Sequence, residues 1–413
     1  MASNTMQFNR FYMRDEKHLE YSENSLKKAI SEGKITPNDA DLIKEFVMEI
    51  SAVRKITPKR IFKYHYILVN WREFIVPFKD ATVTDLYSAI NAIQNAKTSS
   101  GEQRFAQNTL ADYIRFLKRF YLWMNENNYT PIDLRKIQKI KPPAFNTMTK
   151  TVEMLISEDQ VRAMIEACQI SRDRAIISML YEGGFRIQEI GTLRWNQVKF
   201  TDWNVTINVN NKTGKPRFIP LVIARPYLAQ WKNDYPYPLT EDGYVFLTNG
   251  KHEQLQYNGL KKQLNILAKR AGIEKHITPH IFRHSRITHL IKQKYPESVI
   301  KLMMWGDINS KMFHTYAHLS NSDIENTIAE KAGVIATGMH KKSTALEPRQ
   351  CPRCFTVNGP TQLFCGTCGL ELTEEAINKV KQAKEQGELQ PEYQALLDEF
   401  TAKLYQMQNN KQL

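Results

Sequence analysis

Apolar positions recur at helical spacing through the first third of the chain. From Thr36 onward, Ile43, Phe46, Val47 and Ile50 share one face of a helix. Thr36 is a candidate N-cap, and Pro37 suits the first helical position, where the missing amide proton is not needed. Thr57-Pro-Lys-Arg60 opens a second helix carrying Ile61, Tyr64, Ile67, Leu68 and Trp71. A third is expected over about 84–96, and a fourth over about 108–125 with Leu110, Tyr113, Ile114, Leu117, Tyr121 and Trp123. Four helices with short connections predict a compact bundle, taken as residues 35–140. The polar residues 1–34 before it read as a lead-in with one short helix around Ser25–Ser31.

The pattern then changes. Arg135-Lys-Ile-Gln-Lys-Ile-Lys-Pro-Pro143 has no helical period beyond Ile140 and ends in a proline pair, so it reads as an extended basic linker. Residues 141–154 complete the passage to a second domain over 155–335. That domain opens with Ser157-Glu-Asp-Gln160, a capping box before a helix. An apolar helix, Ala175–Tyr181, ends at Gly183-Gly184. Thr206–Val209 and Arg217–Leu221 look like two short strands around a turn over 210–215, and Pro220 suits only a strand edge or end. From Gln254 to Leu319 the pattern is mostly helical, broken at Gly272, Pro279, Pro296 and Gly306. A cysteine cluster (345–372) and a tail (373–413) follow, the tail with an amphipathic stripe of Tyr393, Leu396, Leu397, Phe400 and Leu404. The expected fold class is mainly α with a small β-hairpin: a helical N-terminal domain, a mixed α/β domain, then a small cysteine-rich module with helices.

Composition narrows the partners. The chain has 413 residues, 57 Lys and Arg against 43 Asp and Glu, and a formal net charge of +14. Such an excess favours a polyanion, nucleic acid before an anionic membrane surface. No apolar run is long enough to span a bilayer, and the N-terminus has no apolar signal core, so no membrane association and a cytoplasmic location are expected. Within the bundle, Arg115, Lys118 and Arg119 on the fourth helix, with Lys136, Lys139 and Lys141 in the basic run, are candidate contacts to a DNA backbone.

Four residues and a late tyrosine carry candidate chemistry. Arg186 follows a Gly-Gly pair in Gly183-Gly-Phe-Arg-Ile-Gln-Glu189. Lys212 sits at the expected hairpin tip in Asn211-Lys-Thr-Gly-Lys-Pro-Arg217. His280 and Arg283 share one helical face in His280-Ile-Phe-Arg283, and Tyr316 lies in Phe313-His-Thr-Tyr-Ala-His318. Phosphodiester transfer builds negative charge on the non-bridging oxygens, and without a metal that charge needs fixed cationic donors. Arginine stays charged and donates two parallel hydrogen bonds to phosphate. A lysine at a mobile tip could protonate the leaving oxygen, with Lys215 the rival for that role. A tyrosine with an ordinary pKa near 10 becomes a nucleophile when neighbouring cations favour its phenolate.

In this order and spacing, the motifs resemble the tyrosine recombinase, or phage integrase, family. Gly184-Phe-Arg-Ile-Gln-Glu-Ile190 is similar to its first-arginine motif, with Glu189 as the supporting acid. Asn211–Leu221 is similar to its hairpin, with the catalytic lysine falling on Lys212. His280-Ile-Phe-Arg-His-Ser-Arg-Ile-Thr-His-Leu290 matches its His-x-x-Arg box, and Gly306–His318 its terminal Tyr-x-His segment. The strong resemblance covers about 155–320 and extends to about 37–140 as the helical DNA clamp that precedes it in the family. One position departs: nine residues before Tyr316, where the family usually carries His or Trp, stands Asp307. An ionised Asp would repel a phosphate, so Asp307 is expected to cap the helix carrying Tyr316, or to orient His280 or Lys212, with His314 or Trp305 as substitutes. The resemblance implies a homotetramer on two paired double-stranded DNA sites, with accessory DNA-bending proteins as further partners. It implies a location at the nucleoid, and cleavage through a 3′-phosphotyrosyl link with no cofactor or ATP for catalysis. A type IB topoisomerase, and an inactive DNA-binding regulator suggested by Asp307, are the alternatives.

Cys351-Pro-Arg-Cys354 and Cys365-Gly-Thr-Cys368 form two Cys-x-x-Cys knuckles ten residues apart, the pattern of a structural four-thiolate zinc site. The short loop between them resembles a zinc ribbon, and a ribbon appended to an integrase-like chain looks archaeal. The fifth cysteine, Cys168, lies in an apolar helical stretch and is expected to be buried and inert.

Overall fold

The computed structural model describes residues 15–146, 152–210, 216–317, 332 and 345–385. It divides into two compact units, one built from residues 12–149 and the other from residue 150 onward.

The first unit is helical: α1 (Asp15–Ser31), α2 (Pro37–Arg54), α3 (Pro58–Trp71), α4 (Val83–Gln94), α5 (Gln107–Glu126) and α6 (Leu134–Gln138). The expected start of α2 holds. Thr36 Oγ1 accepts the Asp39 amide, and the Asp39 carboxylate accepts the Thr36 amide. Asp39 is buried and also ties in Arg72 Nε at 2.7 Å and the Phe78 amide at 2.9 Å, which fixes the turn after α3. The core is aromatic: Phe46, Tyr64, Trp71, Phe78, Phe116, Phe120, Tyr121 and Trp123 are all buried.

Two expectations need correction here. Residues 15–31 are one long helix packed on α3, with Leu26 and Ala29 in the core, so they are part of this unit's framework and not a lead-in. The supposed extended linker contains α6, and Ile137 and Ile140 are buried in the same core. Lys118 stitches this segment down: its Nζ donates to the Gln138 and Ile140 carbonyls, both at 2.7 Å.

The second unit begins with α7 (Glu158–Glu166), α8 (Ser171–Glu182) and α9 (Ile187–Gly191). The Ser157–Gln160 capping box forms as expected. A three-stranded antiparallel sheet follows, ordered β1 (Val198–Phe200), β2 (Val205–Asn210), β3 (Pro216–Leu221). The expected hairpin is β2–β3, with Asn210 opposite Pro216; β1 was not foreseen. Pro220 sits near the end of the edge strand β3, the position that tolerates a missing amide. Then come α10 (Ala224–Asn233), α11 (Tyr257–Arg270), α12 (Pro279–Lys292), α13 (Glu297–Trp305) and the short α14 (His314–Ala317). Helix α8 is buried almost throughout and is the axle of this unit. Its last residue, Glu182, accepts the amides of Val222, Ile223 and Ala224, and so holds the start of α10. Cys168 is buried, its thiol donates to the Met164 carbonyl, and burial pushes it up to about 12, as expected of an inert cysteine.

The cysteine module carries the two-stranded β4 (Arg349–Gln350) and β5 (Val357–Asn358), followed by α15 (Glu374–Glu385). It is docked on the second unit. Leu346 joins that unit's core, and Tyr227 Oη on α10 lies 2.6 Å from Thr361 Oγ1 and accepts the Thr361 amide. The tail stripe from Tyr393 to Leu404 lies outside the described residues. No described helix is long and apolar enough to cross a membrane.

Candidate active site and metal centre

Arg186 is the N-cap residue of α9. The Glu189 carboxylate, one turn on, accepts both its amide (2.7 Å) and its guanidinium (2.9 Å). The same carboxylate takes a short hydrogen bond from Arg217 on β3, whose side chain is 0% exposed. Arg217 also donates to the Met303 and Met304 carbonyls at the end of α13. Sheet, α9 and α13 are therefore joined through one buried ion pair. Sequence reasoning gave Arg217 no role, because an arginine in a basic turn usually faces solvent.

Arg283 on α12 is buried and donates to two carbonyls, Gly184 at 2.6 Å and Met304 at 2.5 Å. Burial and the neighbouring Arg186 and Arg217 push it down to about 9, so it remains cationic at neutral pH. Gly184 makes this close approach possible. Its φ is +53°, and a Cβ there would meet Met304 Sδ at 2.7 Å. Arg186 and Arg217 thus meet on one carboxylate, Glu189, and Arg283 lies near enough to feel the charge of all three. This is a local excess of positive charge held in place by protein contacts, and an incoming phosphate requires such fixed cations.

Tyr316 is brought to the same place. It is buried in a small cluster with Ile287, Leu290, Ile300, Met304 and Trp305. Trp305 lies between it and Arg283: the Trp305 ring centroid is 5.7 Å from the Arg283 guanidinium carbon and 6.2 Å from the Tyr316 ring. Burial raises the Tyr316 pKa, while Arg283 and Arg186 pull it back. Its hydroxyl lies 2.5 Å from His284 Nδ1, a contact the sequence did not reveal. His280, one turn earlier on α12, is exposed, and its ring centroid is 6.4 Å from that of His284.

Lys212 and its rival Lys215 lie outside the described residues, between the end of β2 and the start of β3. Asp307 does not cap α14. It follows the left-handed Gly306 at the end of α13, and its carboxylate accepts the Asn309 amide in a tight turn, while Ser310 Oγ accepts the Met312 amide. An aspartate closes such a turn onto its own backbone two residues on. The His314 side chain lies outside the description.

The bundle candidates separate. Lys136, Lys139 and Lys141 are exposed, as is Arg115, which lies over Phe145 at 4.5 Å. Arg119 is half-buried in a cleft with Phe46, Glu49 and Trp123. Lys118 is committed to backbone carbonyls, which weakens it as a phosphate contact.

The four clustered cysteines place their sulfurs within 4.8 Å of one another, with Cys351–Cys368 and Cys354–Cys365 each at 3.5 Å. Tetrahedral zinc with Zn–S near 2.3 Å sets sulfurs about 3.8 Å apart, so the donor set fits zinc. The thiols are unequal: against the upward push of burial, hydrogen bonds with Thr356 bring Cys354 down to about 6, whereas burial pushes Cys368 up to about 12. Ionised together at this spacing, the four sulfurs would need a cation among them. Asn358, which is buried, braces both knuckles. It donates to the Thr356 carbonyl and to Cys365 Sγ (3.7 Å), and it accepts the Gly366 amide.

Residues 155–323 match the phage integrase family. The fold and the matched segment together support a domain of the tyrosine recombinase type. Transposase A from transposon Tn554 of Staphylococcus aureus is 29% identical over 195 residues, 43% of this chain and 52% of that protein, so the chain spans about half the length of this relative. Tyrosine recombinase XerD of Listeria monocytogenes is 26% identical over 291 residues, covering 67% of this chain and 94% of its own. Among solved structures, the XerH site-specific recombinase bound to palindromic difH substrate aligns with a TM-score of 0.51 at 17% identity, over 79% of this chain and all of that one. A lambda integrase (75–356) dimer bound to a COC' core site gives 0.50 at 14% identity, over 67% and 94%. At these identities the structural likeness speaks for the fold.

Proposed function

We propose that the protein is a site-specific DNA recombinase that cuts and rejoins double-stranded DNA through a 3′-phosphotyrosyl intermediate, serving integration, excision or resolution. The observation that carries this is the convergence of a buried tyrosine with a cluster of oriented arginines that holds more positive than negative charge. Arg186 and Arg283 would receive the non-bridging oxygens of the scissile phosphate. Contacts to Glu189 and to the Gly184 and Met304 carbonyls hold both guanidiniums in place before the reaction. A guanidinium has more N–H donors than these contacts use, and losing one donor to the phosphate typically lowers the rate by ~10²–10³-fold. The Tyr316 oxygen attacks phosphorus and the bond to the 5′ oxygen breaks. The leaving oxygen takes up a proton, a role assigned to Lys212, which lies in the chain between β2 and β3, with His280 assigned as a further donor to the phosphate. The 5′-hydroxyl of a partner strand then attacks the phosphotyrosine and restores a phosphodiester. The bond energy is kept in the covalent link, so neither ATP nor a metal enters the chemistry.

A structural neighbour supports DNA as the partner by name: a solved lambda integrase (residues 75–356) structure is bound to DNA. A tetramer on two paired sites, assisted by DNA-bending proteins in the cytoplasm, completes the proposal. The exposed Lys136, Lys139 and Lys141 of the first unit would contact backbone phosphate. Zinc is assigned a structural role in the cysteine module, since four protein thiolates leave no position open for water.

The test is covalent capture. The protein is incubated with a supercoiled plasmid library of its host's genomic fragments, denatured, and protein-linked DNA is recovered and sequenced. Links clustered at one sequence, absent with Tyr316→Phe, support the proposal. Relaxation of every plasmid without a preferred site indicates a topoisomerase instead. Tight DNA binding with no link indicates a regulator with a silent site.

A further inference from the structure

Adjacent residues of α12 divide their duties. The Arg283 side chain turns to the Gly184 and Met304 carbonyls, into the arginine cluster. The His284 side chain, about 100° around the helix, turns to Tyr316 and brings Nδ1 to 2.5 Å from its hydroxyl. The two rings are tilted by 35° with centroids 5.5 Å apart, so the contact runs edge to oxygen and is not a stack. Among the described residues, the geometry gives the phenol one direct path to lose its proton, through His284. Tyr316 is buried, and burial disfavours a free phenolate. The arginines can stabilise the anion but cannot accept a proton, since guanidinium has no acceptor atom. The half-buried imidazole can, in the tautomer that carries hydrogen on Nε2.

Resting on the recombinase assignment above, we propose that His284 is a catalytic residue, the general base that takes the Tyr316 proton during strand cleavage. As the Tyr316 oxygen bonds to phosphorus, its hydrogen passes to His284 Nδ1 and the imidazole becomes imidazolium. The phosphorus–5′-oxygen bond breaks, and the leaving oxygen is protonated separately by the acid assigned to Lys212. In the rejoining step the imidazolium returns its proton to the departing phenolate. His284 thus serves the nucleophile and Lys212 the leaving group.

This division can be tested with the full-length protein and the duplex recovered by covalent capture, made with either oxygen or sulfur at the scissile 5′-bridging position. A thiolate leaves without needing a proton, because a thiol pKa near 8.5 lies far below that of an alcohol. His284→Ala is expected to lose roughly 10²–10⁴-fold in cleavage of the oxygen duplex, the usual range for a general base. The loss should persist on the sulfur duplex, whereas the loss in Lys212→Ala should largely disappear. His284→Asn supplies an acceptor near the position of Nδ1 that cannot take up the proton. It should bind DNA normally and still fail to cleave. Recovery by Asn, or rescue of His284→Ala by sulfur, would overturn the assignment.

A DNA-free measurement separates this inference from the recombinase assignment. In the ¹⁵N-histidine-labelled protein, Tyr316→Phe should shift one Nδ1 resonance, the one missing from His284→Asn. If no resonance moves, the hydrogen bond is absent and the proposal fails whatever the enzyme does. If the resonance moves but the wild type links to no DNA, the recombinase assignment fails, and the base role with it.

Discussion

Replacing Glu189 by Gln perturbs the centre of the arginine cluster with almost no change in volume. In the wild type this carboxylate accepts from the Arg186 amide, the Arg186 guanidinium and the buried Arg217. Glutamine keeps one acceptor oxygen and turns an NH₂ toward a guanidinium that already has only donors. The Arg217 side chain is fully buried, and burial already pushes its pKa down. Removing its counter-charge leaves a buried cation compensated only by the Met303 and Met304 carbonyls, and breaking a buried pair in this way costs about 3–5 kcal/mol. We take the lower end, about 3 kcal/mol, because two carbonyl acceptors remain. For a unit of this size that corresponds to a fall of roughly 6–12 °C in the melting temperature of the second unit. The assay is calorimetry on the full chain, where the two units are read as separate transitions. The double variant Glu189→Gln/Arg217→Met should recover at least half of the loss, because it removes the stranded charge along with its partner. A neutral Glu189→Gln, or a double variant whose loss equals the sum of the two single losses, would refute the ion-pair argument.

Further outcomes follow from other sites. Gly184→Ala forces a side chain into a left-handed backbone and against Met304, so it should destabilise the second unit by about 1–3 kcal/mol, read by urea unfolding. It should also weaken cleavage by displacing the Arg283 anchor. Asn358→Ala should lower zinc affinity by roughly 10–100-fold in a competition titration with a chromophoric chelator, as loss of a bracing residue typically does. Strong chelation of the wild type should melt the cysteine module while sparing the first unit. His289 lies 2.8 Å from the Tyr181 hydroxyl, and burial, with Arg286 and Lys292, holds it down to about 4. Its unfolded value is near 6.5, so the unfolded chain binds the extra proton in between. Its contribution is present above about pH 6.5 and is lost as pH falls toward about 4, by at most about 3 kcal/mol. His289→Gln should flatten that part of the stability curve; an unchanged slope would contradict it.

The motif residues were legible because chemistry fixes their type and spacing. Arg186, Glu189, Arg283 and Tyr316 do converge, and the caps at Thr36 and Ser157 form where Ser or Thr precedes an acid or amide by three residues. What escaped notice has physical reasons. Helix α1 buries few apolar residues, and one of its inward positions is Ser22, hydrogen-bonded to the buried His65, so its face reads as polar. Helix α6 is five residues long, too short for a period to show. Arg217 is buried only because the sheet, α9 and α13 close around it, and no local pattern encodes that. The His284–Tyr316 contact joins residues 32 apart and depends on how α14 packs on α12. Of the two roles expected of Asp307, the helix cap is replaced by a bond to its own turn, as short polar side chains commonly form, and the orienting of His280 or Lys212 stays a proposal.

The central claim is that Tyr316 becomes covalently joined to DNA. The most direct measurement is mass spectrometry of the captured adduct after nuclease and trypsin digestion. The account predicts a nucleotide phosphate on Tyr316, within the peptide spanning residues 312–331, and no adduct with Tyr316→Phe. A phosphate on any other residue, or an undiminished adduct with Tyr316→Phe, would contradict it.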